Sequence, residues 1–192
     1  MRIVFCDFET TGLPTDAPLT HPEQPYIVSM GLIVRDGKKL RGKHYMLVQT
    51  PVESDEKAFE CHGLDQSYLN EVGVPTALAV RLLYNVMTNA ELFVAHNTGF
   101  DKKIANIAFS RYATVPALPS SLPKYFCTMQ KARKFMANER RWSLDAACKR
   151  FLDMDERQGF HTSLDDVERC MALFDHFVRL GEGPVGTETK TV

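Results

Sequence analysis

The run Ile3-Val4-Phe5-Cys6-Asp7-Phe8-Glu9-Thr10-Thr11-Gly12 sets an apolar, β-branched stretch directly against two acids. Apolar residues of this kind read as a buried strand. Residues two apart on a strand share a face, roughly 6–7 Å from each other. The Asp7 and Glu9 carboxylates therefore point the same way from the end of a core strand, where they repel each other. A divalent cation bound between them removes that conflict, and oxygen ligands with open positions opposite suit Mg²⁺ or Mn²⁺. Two solvated acids in the loop after a strand are the plain alternative, and this segment alone does not choose.

The rest of the chain narrows the choice. Its 192 residues fit one domain with a substantial core, and 44% hydrophobic and 24% charged residues are the balance of an ordinary globular protein. No apolar run approaches the roughly 20 residues of a membrane span, and Asp7 and Glu9 interrupt the one N-terminal run that could start a signal peptide. Cys6, Cys61, Cys127, Cys148 and Cys170 are odd in number and scattered, which suits free thiols in a reducing cytoplasm. A net charge of −1 is not that of a strongly basic nucleic-acid binder. The charge is uneven, however: Lys124 to Arg150 holds eight Lys/Arg against two Asp/Glu, either a solvated helix face or a track for a polyanion.

Along the chain, a Pro-rich loop runs from Leu13 to Pro25, followed by a strand over Tyr26–Arg35, a turn at Asp36-Gly37 and a returning hairpin arm at His44–Gln49. Helical periodicity covers Pro75–Thr88, with Ala79, Leu82, Leu83 and Val86 inward. Leu92–Ala95 reads as a short buried strand, Phe100–Phe109 as a helix with Ile104, Ile107 and Ala108 inward, and Tyr125–Cys127 as another short strand. Ser143 is placed to cap Leu144–Leu152, and Thr162 or Ser163 to open a last helix reaching about Leu180. The Gly/Pro/Thr-rich tail Gly181–Val192 is expected to be mobile. A meander of strands followed by strand–helix alternation predicts an α/β fold, a mixed central sheet flanked by helices.

Two further clusters carry chemistry. The segment Val94-Ala95-His96-Asn97-Thr98-Gly99-Phe100-Asp101 leaves a buried strand and enters a helix. Taken alone, Asp101 reads as a first-turn acid that favours the helix dipole. In Phe160-His161-Thr162-Ser163-Leu164-Asp165-Asp166, the stripe Leu164, Val167, Met171, Phe174 and Val178 sets the helical phase. At ~100° per residue Asp165 faces water and Asp166 lies at the edge of the stripe, beside the core.

Together these segments resemble the DEDDh exonucleases, the family of the proofreading epsilon subunit of bacterial DNA polymerase III, ribonuclease T, oligoribonuclease and the TREX enzymes. Asp7-Phe8-Glu9-Thr10-Thr11-Gly12 is similar to the family's first motif, His96-Asn97 to Asp101 to the second, and His161 to Asp166, with its His-x-x-x-x-Asp spacing, to the third. Cys61-His62-Gly63-Leu64 and Ser143-Leu144-Asp145-Ala146-Ala147-Cys148 resemble secondary family segments. Ser163, where many members have Ala, and the long loop after Leu13 depart from the pattern.

The resemblance implies a ribonuclease-H-like exonuclease domain over residues 1–180, a tail over 181–192, and a two-metal 3′-5′ exonuclease using Mg²⁺ or Mn²⁺. Asp7, Glu9, Asp101 and Asp166 would be the metal ligands, with Asp7 bridging the ions. His161 would be the general base, since imidazole suits proton transfer near neutrality. Thr10, Thr11, Leu13, His62 and Asn97 would contact the terminal nucleotide, with Leu13 wedged against its base and His62 at the sugar. Trp142, inside the basic stretch, is open to two readings, a base-stacking platform or a core anchor. The implied substrate is a single-stranded or frayed 3′ end of DNA, and a DNA polymerase is the implied partner. An RNA-directed exonuclease and a non-catalytic binding module on the same fold are the rivals.

Overall fold

The computed structural model describes residues 1–112, 123–135 and 142–184. Five strands build one sheet: β1 (Arg2–Thr10), β2 (Ile27–Asp36), β3 (Lys39–Leu47), β4 (Leu92–Ala95) and β5 (Lys124–Cys127). Their order is β3-β2-β1-β4-β5. The first three strands are antiparallel, whereas β4 and β5 add in parallel on the other side of β1. The helices are α1 (Glu56–His62), α2 (Gln66–Val72), α3 (Thr76–Thr88), α4 (Thr98–Arg111), α5 (Thr128–Lys134), α6 (Leu144–Leu152) and α7 (Ser163–Arg179). This is the α/β, mixed-sheet architecture expected from the sequence.

The period of two on β1 sorts its side chains between two cores. Val4, Cys6 and Phe8 pack with residues of α3 and α4, while Ile3 and Phe5 pack with α5, α6 and α7. Phe5 and Phe126 both meet Phe174 of α7 in T-shaped contacts, with ring centroids 5.3 and 5.1 Å away. Each such buried ring contributes roughly 1.5–3 kcal/mol. Asp7 and Glu9 continue the Ile3/Phe5 row and so emerge on the face that α7 covers.

Close approach of α7 to the sheet depends on Gly31, which pairs with Asp7 across β1 and β2. A Cβ there would run into the Ser163 backbone. The Ser163 hydroxyl, in turn, bonds that of Ser29 at 3.0 Å. The first turn of α7 is thereby seated beside the Asp7/Glu9 row.

Several elements differ from expectation. The hairpin turns at Gly37 as expected, with φ +58°, but β3 begins at Lys39 instead of His44. Its first residues are exposed and polar, so no alternation marks them. Helices α1, α2 and α5 were not anticipated. The first two are seven residues long and bury one side chain each, and what defines them is capping: Asp55 accepts from the Ala58 N–H and Asp65 from the Tyr68 N–H. On α7 the buried face runs through Ser163, Asp166, Val167, Cys170, Leu173, Phe174 and Phe177, with Leu164, Met171 and Val178 only partly buried at its margin. The Pro-rich loop is irregular, as expected. Arg111 ties it down by donating to the carbonyls of His21, Gln24 and Pro25. All five cysteines are free thiols. Among the described residues no helix is long and apolar enough to cross a membrane. The tail beyond Pro184, and residues 136–141 of the basic stretch, lie outside the described residues.

Candidate active site

The carboxyl ends of the central strands β1 and β4 open into one cleft, where open α/β sheets commonly place their ligands. It encloses about 490 Å³ and is lined by Asp7, Glu9, Asn97, Asp101, His161 and Asp166 from the three sequence clusters. Asp7 and Glu9 come from β1 and Asp101 from the first turn of α4, while Asp166 sits one turn into α7. Glu60, Asp145 and Arg157 complete its charged wall. A somewhat larger hollow, about 570 Å³, lies around α1 and α2, but its acids do not converge and Asp65 there is already occupied capping α2.

Geometry separates the neighbours at the start of α7. Asp165 is exposed and closes a capping box: the Thr162 hydroxyl accepts from the Asp165 N–H, and the Asp165 carboxylate accepts from the Thr162 N–H at 2.9 Å. Asp166 is buried, 7% exposed, and meets His161 Nε2 at 3.1 Å. Arg157 Nη2 donates to its other oxygen at 2.5 Å.

Among the described residues, the site is short of positive charge. Burial, then the neighbouring Asp101, Asp166 and Glu9, hold the Asp7 carboxyl well above the usual carboxylate range. Burial and Asp166 push Glu9 up to about 7, against the pull of Arg157. Asp101 is pushed up to about 8, chiefly by burial. Among the described residues its Oδ1 is buried without a hydrogen-bond partner, a costly arrangement for a carboxylate. Asp166 is raised by burial and held down by Arg157 and His161. Ligand atoms of Glu9, His161 and Asp166 all lie within 4.8 Å of one another. An orphaned carboxylate oxygen, crowded acids and an oxygen-rich donor set fit a hard divalent cation.

The remaining sequence candidates are placed differently. Asn97 lines the cleft, but Thr10, Thr11, Leu13 and His62 are not among its lining residues. Thr10 and Thr11 are buried; the Thr10 hydroxyl donates to the Gly12 carbonyl at 2.7 Å, and that of Thr11 accepts from the Tyr26 N–H at 3.0 Å. His62 is buried too, its Nδ1 accepting from the Leu64 N–H and its Nε2 bonded to Ser54. Leu13 is 76% exposed. Of the two readings of Trp142, the structure takes the core anchor: it is 5% exposed in the core under α7, so it offers no open face to a base. His96 bridges that core, contacting Thr128 Oγ1 and the Trp142 carbonyl at 2.9 Å each.

Sequence reasoning passed over Arg157. It stands four residues before His161 in an irregular segment, where periodicity carries no signal. Its charge between two acid-rich clusters was the available clue.

A model of the RNase_T exonuclease family matches residues 4–174. The chain is 30% identical over 170 residues to DNA polymerase III subunit epsilon of Rickettsia prowazekii (strain Madrid E), covering 87% of this chain and 69% of that protein. It is 28% identical over 174 residues to the Escherichia coli (strain K12) subunit of the same name, covering 87% and 67%. Among solved structures, E. coli exonuclease I in complex with a dT13 oligonucleotide superposes with a TM-score of 0.70 at 14% identity, over 93% of this chain and 41% of that one. Exonuclease I in complex with the inhibitor BCBP gives 0.74 at 16% identity, over 93% and 41%. The chain thus spans about two-fifths of the length of exonuclease I, a likeness that shows the fold.

Proposed function

The chain belongs to the RNase_T exonuclease family, and on that premise we propose that it is a metal-dependent 3′-5′ exonuclease that releases 5′-mononucleotides from single-stranded or frayed DNA ends. The observation that carries the reading is the converged set Asp7, Glu9, Asp101 and Asp166 on one cleft, with more negative charge than Arg157, the one arginine among its described lining residues, balances. DNA is favoured over RNA because the relatives are named as subunits of a DNA polymerase. The same names make a polymerase the proposed partner, with residues 1–180 as the catalytic unit.

The four carboxylates would hold two divalent cations, Mg²⁺ or Mn²⁺. When bound, such ions polarise the scissile phosphodiester and lower the pKa of the attacking water. The protein's own groups supply the rest. Asp101 and Asp166 present oxygens from two helices whose first turns are fixed on the sheet, so the ligand set is preorganised before substrate arrives. His161, 30% exposed on the cleft wall, takes the proton of the attacking water on a ring nitrogen. Its contact with Asp166 limits where the ring can turn. Asn97 offers an amide to the sugar or phosphate of the terminal nucleotide. Leu13 stands exposed beyond the cleft, available to a base.

The test is incubation with matched, 5′-labelled single-stranded DNA and RNA in Mg²⁺, Mn²⁺ or EDTA, with arms carrying a 3′ phosphate. Stepwise shortening of DNA in either metal, abolished by EDTA and slowed by the 3′ phosphate, is expected. Full activity in EDTA would overturn the metal reading, faster loss of RNA the DNA reading, and indifference to the 3′ block the polarity.

A further inference from the structure

Arg157 lies between the candidate ligands and a second acid that has no assigned part. Its Nε and Nη2 lie 3.0 and 2.9 Å from Asp145 Oδ1, and the same Nη2 reaches Asp166 Oδ1. Asp145 is shared in turn with Arg169 Nη1 at 3.3 Å, while Arg169 also donates to the Asp155 carbonyl at 2.8 Å. Asp145 is held in the first turn of α6 behind the Ser143 cap. The guanidinium thus has one fixed anchor, Asp145, and one contact on Asp166, a candidate ligand carboxylate. Its seat is also incomplete, since Nη1 is buried without a hydrogen bond among the described residues.

We propose that Arg157 is the resident counter-cation of the cleft: it occupies Asp166 in the metal-free protein, competes with the divalent cation for that oxygen, and is drawn off it by Asp145 when the cation binds. A divalent cation and a guanidinium on the same buried carboxylate repel each other, so each weakens the other's hold on Asp166. Asp145 sets the balance. It keeps the guanidinium on the cleft wall after release. Arg157 also pulls down the carboxyls of Asp7, Glu9 and Asp166, in keeping with its place as the local positive charge. Its role is positional, exerted through Asp166, and distinct from that of His161.

This inference rests on the metal-site reading above, and the experiment separates the two. Mn²⁺ alone is titrated calorimetrically into wild type, Arg157→Gln, Arg157→Lys, Asp145→Asn and the Arg157→Gln/Asp145→Asn double variant at pH 7.5, and melting is measured for each in EDTA. Arg157→Gln is expected to bind Mn²⁺ tighter, on the order of tenfold, while melting lower in EDTA because the carboxylates have lost their counter-charge. Asp145→Asn should bind Mn²⁺ more weakly, since the guanidinium then rests on Asp166 alone. In the double variant that weakening should vanish. Arg157→Lys should fall between wild type and Arg157→Gln, and keeps the test open if the glutamine variant does not fold. Unchanged or weaker binding in Arg157→Gln would overturn the competition. Equal weakening by Asp145→Asn with and without Arg157 would overturn the anchoring role. Absence of Mn²⁺ binding in wild type would overturn the metal site itself.

Discussion

Helix α7 carries an acid–arginine contact near each end, and the two contacts differ in charge balance. Towards its C-terminal end, Asp175 receives Arg35 through two parallel bonds, Nη1 at 2.7 Å and Nη2 at 2.8 Å, with the guanidinium 4.8 Å above the Phe5 ring. One acid meets one base. At its N-terminal end, Asp166 receives one bond from Arg157, which is shared with Asp145, while Asp7, Glu9 and Asp101 crowd the same cleft. The first contact fastens the helix to the sheet. The second leaves carboxyl groups raised by burial and by one another, an arrangement that costs stability in the absence of a cation. Charge buried out of balance at one end and balanced at the other marks the unbalanced end as the candidate binding site.

The sharpest way to break this contrast is to neutralise one member on each side. Asp7→Asn should lower the rate of nucleotide release by about a thousandfold, near 4 kcal/mol of barrier. Its melting temperature in EDTA should stay level or rise, because a repulsive partner is gone. Retention of more than about a tenth of the wild-type rate would remove Asp7 from the ligand set. Asp175→Asn should do the reverse. It strands a buried Arg35 and should cost about 2 kcal/mol in urea unfolding, a discounted figure because the Asp175 side chain is 37% exposed. Activity per folded molecule should not change.

A smaller effect follows from pH. A carboxyl raised in the folded protein holds a proton that the unfolded chain has lost, so its stabilising contribution is present at low pH and disappears as pH rises through the folded value. With Glu9 near 7 and Asp101 near 8, stability in EDTA should fall by about 1 kcal/mol from pH 7 to 8. His62, His96 and His176 are depressed by burial and act with the opposite sign, but below this window. Asp101→Asn should remove most of the slope, because Asp101 titrates across this window whereas Glu9 is already half-titrated at its start. A slope of the same size in that variant would place its origin elsewhere. Saturating Mn²⁺ should abolish the fall, since the ligands then bind metal in place of protons.

The smallest expected effect lies one residue from a proposed metal ligand. Asp165→Asn weakens the capping box and should cost about 0.5 kcal/mol with activity retained. Asp166→Asn should lose activity by orders of magnitude. Equal losses in the two would mean that the side of α7 facing the cleft has been misassigned.

How far the sequence carried these distinctions depends on residue type and period. The strand–acid junction at Asp7 and Glu9 was legible because period two fixes the face. Asp166 was told from Asp165 because helical phase separates neighbours by ~100°. The cleft that gathers Asp101 with them was legible only through the order of three motifs, since a first-turn acid has an ordinary explanation of its own. Arg157 and Asp145 were not legible as a pair. They meet across an irregular segment, and no period predicts contacts between a loop and a helix start. The sequence also left Trp142 ambiguous, because a basic neighbourhood does not reveal which way an indole faces. Helices α1 and α2 escaped for a simpler reason: caps at Asp55 and Asp65 define them, without an apolar stripe.

The most direct measurement of the central claim is the Mn²⁺-dependent shift in melting temperature at pH 7.5 for wild type and for Asp7→Asn. If the unbalanced carboxylates exist to hold divalent cations, wild type rises by several degrees and saturates, by linkage between binding and folding, while Asp7→Asn loses most of that rise despite melting no lower in EDTA. No rise in wild type, or an equal rise in both, would contradict the assignment.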